Sequence, residues 1–197
     1  MSRRRRTILL ALGLLVVAVF ITLEHTSISR KWRLEPKTPK QKQAYDFKKY
    51  HAKTFTVVNV VDGDTIDINI PDGEYEHTRI RLWGIDAPET RNNMYFGREA
   101  AEFAEKLALG KQVTVYLDER NRTRGYYGRL LAYIQLPDKR FLNEVLLQEG
   151  YAYADLRFRH SFYNKYKKLE AVARSQKRGL WKNITPEQMP QWRQKEK

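Results

Sequence analysis

Three short segments concentrate the side chains that could do chemistry: Asp62-Gly63-Asp64-Thr65, a run from Arg81 through Asp86 to Glu89, and Arg129 behind the pair Tyr126-Tyr127. Carboxylates hold hard cations or move protons, and guanidinium groups grip oxyanions with two donors at a time. Each segment also has a plainer reading. Asp-Gly is a favoured hairpin turn whose carboxylates are usually just solvated. An arginine in a strand beside Asp86 and Glu89 can be a surface ion pair worth little. Pro88 imposes an extended stretch on its neighbours, which keeps the two acids together after the strand. The chain has no cysteine, so disulfides, thiolate metal sites and cysteine nucleophiles are excluded.

Those residues need elements to position them. Residues 54–61 and 65–70 are rich in β-branched side chains, and the Asp-Gly-Asp between them is a turn, so the pair reads as a hairpin. After the turn at Pro71-Asp72-Gly73, residues 77–85 alternate through Arg79, Ile80, Arg81 and Leu82 as a third strand. Phe96, Ala100, Phe103, Ala104 and Leu107 have helical spacing, and Gly110 is placed to stop that helix. Residues 111–117 and 129–136 read as strands, separated by a charged loop with Gly125 and Gly128. A short helix over 143–148 ends at Gly150, and Phe162, Tyr166, Leu169 and Ala173 stripe a final helix ending near Gly179. The first three strands show no βαβ alternation, so the expectation is an α+β fold, a five-stranded OB-type β-barrel with about three helices. Such barrels serve many functions, and the fold alone leaves function open.

The 37 Lys and Arg outnumber the 23 Asp and Glu, and the net charge of +14 favours polyanions or an anionic membrane surface as partners. Arg3 to Arg6 form a basic flank, residues 1–6, before an uncharged, almost wholly apolar run over residues 7–23. At about 1.5 Å per residue that run reaches roughly 25 Å, near the short end for crossing a bilayer and long for the core of a cleaved signal. No A-x-A cleavage pattern follows it. The expectation is an N-terminal transmembrane helix acting as an uncleaved signal-anchor in the lipid bilayer, with the arginines cytoplasmic and the domain outside the cytoplasm. Secretion after signal cleavage is the alternative. Residues 24–53 are polar and basic, carry Pro36 and Pro39, and read as a tether; residues 183–197 read as a polar tail.

Taken together and in this order, the D-G-D-T hairpin, R-x-x-x-x-D-x-P-E from Arg81 to Glu89 and Y-G-R-x-L-A-Y from Tyr127 to Tyr133 resemble the staphylococcal nuclease family, as does the closing Gly179-Leu180-Trp181. The resemblance covers residues 54–182. It implies a nuclease that uses Ca²⁺ to hydrolyse phosphodiester bonds of single- and double-stranded DNA and of RNA, with little sequence specificity, leaving 3'-phosphates. Asp64 and Asp86 would then be the metal carboxylates and Thr65 would lend its main-chain oxygen, with Asp62 supporting them from behind. Glu89 would be the general base, and Arg81 and Arg129 would meet the phosphate oxygens.

Tyr127 matches the family residue beside the nucleotide phosphate, whereas Tyr126 stands where the family's namesake has lysine. Leu156 and Phe158 align with that protein's two pocket tyrosines. Phe158 is expected to bind substrate, and Tyr151 and Tyr153, with Arg157 and Arg159, could stack and clamp single strands. No obligate protein partner is evident, and a monomer is expected. The competing reading is a non-catalytic nucleic-acid or protein binding module of the same fold.

Overall fold

The computed structural model describes Leu15 and residues 38–91 and 94–194. The expected membrane segment over residues 7–23 lies outside the described residues, Leu15 apart; among those described, no helix is long and apolar enough to cross a membrane. The chain divides into two units, Met1–Lys42 and Gln43–Lys197, and everything below concerns the second unless stated.

The first described element overturns part of the tether reading. Helix α1 (Pro39–Tyr50) occupies the end of that stretch. It opens on a reciprocal cap, in which Gln41 N–H donates to Thr38 Oγ1 at 3.2 Å and Thr38 N–H donates to Gln41 Oε1 at 3.1 Å. Its inner face buries Asp46 and Tyr50, and the Tyr50 hydroxyl lies 3.0 Å from Thr78 Oγ1. The second unit therefore begins within this helix, at Gln43, rather than at residue 54.

Strands β1 (Lys53–Asp62), β2 (Thr65–Ile68), β3 (Thr78–Leu82), β5 (Gln112–Tyr116) and β6 (Leu130–Gln135) close a barrel in the order β1-β2-β3-β6-β5. The expected five-stranded barrel is thus present. Four of its pairings are antiparallel, and β3 with β6 is parallel. Val57, Ile66, Ile68, Ile80, Leu82, Val115, Leu130 and Ile134 fill the interior. Each fully buried aliphatic side chain of this size contributes about 1.5 to 3 kcal/mol relative to exposure.

The expected third strand is broken in two. After Leu82 the chain turns at Gly84, whose φ of 80° suits glycine, and resumes as β4 (Ile85–Asp86). The short strand β4 pairs with β7 (Tyr153–Ala154) in a separate two-stranded sheet, with Asp86 opposite Tyr153. The break carries Asp86 off the barrel wall.

The three expected helices are α2 (Gly97–Ala108), α3 (Leu142–Gln148) and α4 (Tyr163–Ser175). In α2 the buried residues Ala100, Ala104 and Ala108 recur every fourth position, so the helix lays a small-residue face on the barrel. Beyond α4, two short 3-10 turns and helix α5 (Gln191–Gln194) fold back, and Ile184, Met189 and Trp192 pack against buried Tyr153, Ala173, Leu180 and Trp181. The described part of the expected polar tail, residues 183–194, thus packs through these three side chains.

Candidate active site

The two-residue turn between β1 and β2 has Asp62 opposite Thr65, and Thr65 in turn pairs with Arg81 on β3. This register sets Asp64 and Arg81 side by side. The hairpin tip is not solvated: Asp64 is 4% exposed and Thr65 1%. A methyl on Gly63 would lie 2.7 Å from Ala87 Cβ and 2.8 Å from Ala100 Cβ, so only glycine lets the tip press against α2 and the segment after β4. Gly63→Ala is expected to destabilise the domain by about 1 to 3 kcal/mol through overpacking. Because the displaced residue adjoins Asp64, activity measured well below the new melting midpoint should also fall. Unchanged melting would show that the tip yields freely.

Arg81 is the hub. Its Nη2 donates to Asp86 Oδ1 at 2.7 Å and lies 3.0 Å from Asp64 Oδ2, while Nη1 donates to the carbonyls of Ile85 at 2.7 Å and Leu82 at 3.0 Å. Asp64 Oδ2 also accepts the Ala87 N–H at 2.6 Å, and its Oδ1 accepts the Thr65 hydroxyl at 3.0 Å. Behind it, Asp62 Oδ1 accepts the Asp64 N–H at 3.0 Å. Burial pushes the Asp64 carboxyl well above the usual range, and Asp62 and Asp86 push the same way against Arg81. Burial tends to lower the Arg81 pKa, but Asp64 and Asp86 outweigh it and hold the guanidinium charged.

Glu89 faces solvent and, among the described residues, makes no hydrogen bond. Partial burial and then Asp62 raise its pKa, Asp86 adds to this, and Arg81 and Arg129 oppose it. Arg129, just before β6, is a second cation in the same field. Its guanidinium makes no hydrogen bond or ion pair among the described residues, and its carbon lies 5.9 Å from the Tyr127 ring centroid. Arg81, Glu89 and Arg129, with Asp64, Thr65 and Asp86, thus belong to one electrostatic neighbourhood. Arg81 differs from its expected part in that both of its terminal nitrogens already serve protein acceptors.

The donors suit a hard divalent cation: Asp64 and Asp86 converge on the same nitrogen of Arg81, and two carboxylates are held close together there. Among the described residues no group of three or more His, Cys, Asp or Glu side chains gathers as a metal cage, so backbone oxygen and water would have to complete the shell.

The expected aromatic contacts divide. Tyr127 is 80% and Tyr126 90% exposed, their rings edge to face at 5.2 Å, so Tyr127 is no packed strand-end tyrosine. Phe158 is 44% exposed and stacks on Trp83 at 6.2 Å. Tyr153 is buried in the C-terminal cluster and Tyr151 stacks face to face on Phe103 at 3.9 Å, so these two rings are occupied by packing. Arg157 is held by Asp155 at 2.8 Å and reaches Asp86 at 3.5 Å. Trp192 was missed by sequence reasoning: its Nε1 donates to Asp86 Oδ2 at 2.7 Å, and Arg157 lies 4.5 Å over its ring. A lone tryptophan in an otherwise polar tail was the available sign.

The family described as staphylococcal nuclease homologue matches residues 79–183. An "uncharacterized endonuclease" of Escherichia coli O157:H7 is 35% identical over 142 residues, which span 69% of this chain and 80% of that protein. The thermonuclease of Staphylococcus hyicus is 32% identical over 136 residues, 66% of this chain and 77% of that one. A micrococcal nuclease of Shigella flexneri is 31% identical over 150 residues, 72% and 80% of the two chains. With the barrel and the carboxylate pair on Arg81 arranged as above, the chain belongs to the staphylococcal nuclease family.

Proposed function

We propose that this nuclease hydrolyses phosphodiester bonds of single- and double-stranded DNA and of RNA with Ca²⁺ as its ion and little regard for base sequence, leaving 3'-phosphates. The observation that carries the reading is the buried Asp64 and the half-buried Asp86 meeting at Arg81 Nη2, with Glu89 open to solvent in the same field. When bound there, the ion would neutralise the scissile phosphate and help place the attacking water. Glu89 takes the proton from that water, and its raised pKa makes it a better base than an ordinary surface glutamate. Water oxygen bonds to phosphorus, the bond to the 5'-oxygen breaks, and that oxygen leaves as a hydroxyl after gaining a proton. Arg129, whose fork has no partner among the described residues, meets the phosphate oxygens as charge gathers on them, while Arg81 sets the carboxylates.

The test is cleavage of single-stranded DNA by the full chain with Ca²⁺ and with EGTA, beside Glu89→Gln. Cleavage should need the ion, and the variant should lose about 10² to 10⁴ in rate while still binding DNA. DNA that is bound but uncut under every divalent ion would leave only the binding-module reading. We further propose that residues 7–23 anchor the domain outside the cytoplasm; the support is their apolar composition behind four arginines. Protease digestion of intact cells should then remove the domain.

A further inference from the structure

A cavity of about 640 Å³ opens beside α4, with Leu156, Tyr163, Lys167, Glu170, Arg174 and Arg193 in its wall. Its charge is one-sided. Glu170 is buried and paired with Arg193 at 2.5 Å, which leaves Lys167 and Arg174, both exposed and neither in an ion pair among the described residues. The Arg159 guanidinium lies 4.1 Å from the Tyr163 ring centroid and adds charge at the rim.

Two pairs of neighbouring residues connect this cavity with Asp86. Arg157 reaches Asp86 while Leu156 lines the cavity. Trp192 donates to Asp86 while Arg193 binds Glu170 in the cavity wall. The cavity is thus lined, at Leu156 and Arg193, by the chain neighbours of the two residues that contact Asp86.

We propose that this cavity is a second phosphate subsite, in which Lys167 and Arg174 take a backbone phosphate of the strand being cut, beyond the scissile one, while Tyr163 offers a ring to the adjoining nucleotide. The proposal rests on the nuclease reading above. Two exposed cations holding one phosphodiester give grip on polymer without contact to any base, in keeping with the positive charge of the chain.

The experiment compares the full chain with its Lys167→Ala, Arg174→Ala double variant on thymidine oligonucleotides of two and twelve residues. The subsite predicts that KM for the twelve-mer rises about tenfold while kcat, and KM for the dinucleotide, stay put. It also predicts that the slope of log affinity against log salt for the twelve-mer shrinks by about 0.7 per lost phosphate contact. The charge-keeping pair Lys167→Arg, Arg174→Lys should retain most of the affinity. An equal rise for both lengths, or no change for either, overturns the subsite. If the unmodified chain cuts neither oligonucleotide, the nuclease reading fails, and the salt slope of twelve-mer binding still decides whether the cavity holds phosphate.

Discussion

Arg81→Lys is expected to lower kcat by about two to three orders of magnitude and to destabilise the domain, whereas Arg129→Lys should lower kcat comparably and leave stability unchanged. The difference follows from what each guanidinium touches. Arg81 serves four acceptors at once, the carbonyls of Leu82 and Ile85 and the carboxylates of Asp64 and Asp86. A lysine ammonium is one nitrogen at the end of a flexible stem and cannot span that set. An acceptor left unmet in a buried site costs about 1 to 3 kcal/mol. The carboxylates would also lose their common spacing, and with it the fit to a cation. Arg129 has no such duties among the described residues, so its replacement removes a phosphate contact and little else. Paired kcat and thermal-melting measurements decide the matter. If Arg129→Lys melts early and Arg81→Lys does not, the division of labour drawn from these contacts is wrong.

Local pattern carried the barrel because its determinants are local. β-branched runs, turn dipeptides and a helical alanine stripe are visible in windows of ten residues or so, and Ile66, Ile80 and Ala104 landed where their spacing put them. The chemistry was legible through motif order: the two-residue turn fixes Asp62 opposite Thr65, while the pairing of Thr65 with Arg81 belongs to the separate register of β2 on β3. What escaped was made by distant partners. Trp192 reaches a carboxylate 106 residues away, and nothing near it in sequence announces that bond. β4 and β7 have two residues each, too few for any period to show. Helix α1 buries an aspartate on its inner face, so its pattern looked like solvated linker, although Thr38-Pro39 with Gln41 is a helix-start signature.

That aspartate motivates the second large effect. Asp46 is buried at 2% exposure and receives Arg124 through Nε at 2.9 Å and Nη2 at 2.6 Å, with the Thr123 hydroxyl at 2.7 Å. Arg124 also pairs with Asp72 and donates to the Gly128 carbonyl at 3.0 Å, so one guanidinium joins α1, the loop after β2 and the loop that leads into Arg129. Burial alone would lower its pKa, yet the hydrogen bonds it donates to Asp46 and Asp72 raise it and keep it charged. Arg124→Ala strands Asp46 as an uncompensated buried charge, and such losses run to about 3 to 5 kcal/mol. At roughly 2 to 4 °C per kcal/mol for a domain of this size, the melting midpoint should fall by about 6 to 20 °C. Asp46→Leu combined with Arg124→Ala should recover part of that loss, because the stranded charge is gone; a double variant no more stable than Arg124→Ala would show that the cost lies elsewhere. Activity adds an independent readout. At temperatures where both variants are folded, kcat should stay low even in the double variant, because neither restores the hold on Gly128 that sets the approach of Arg129.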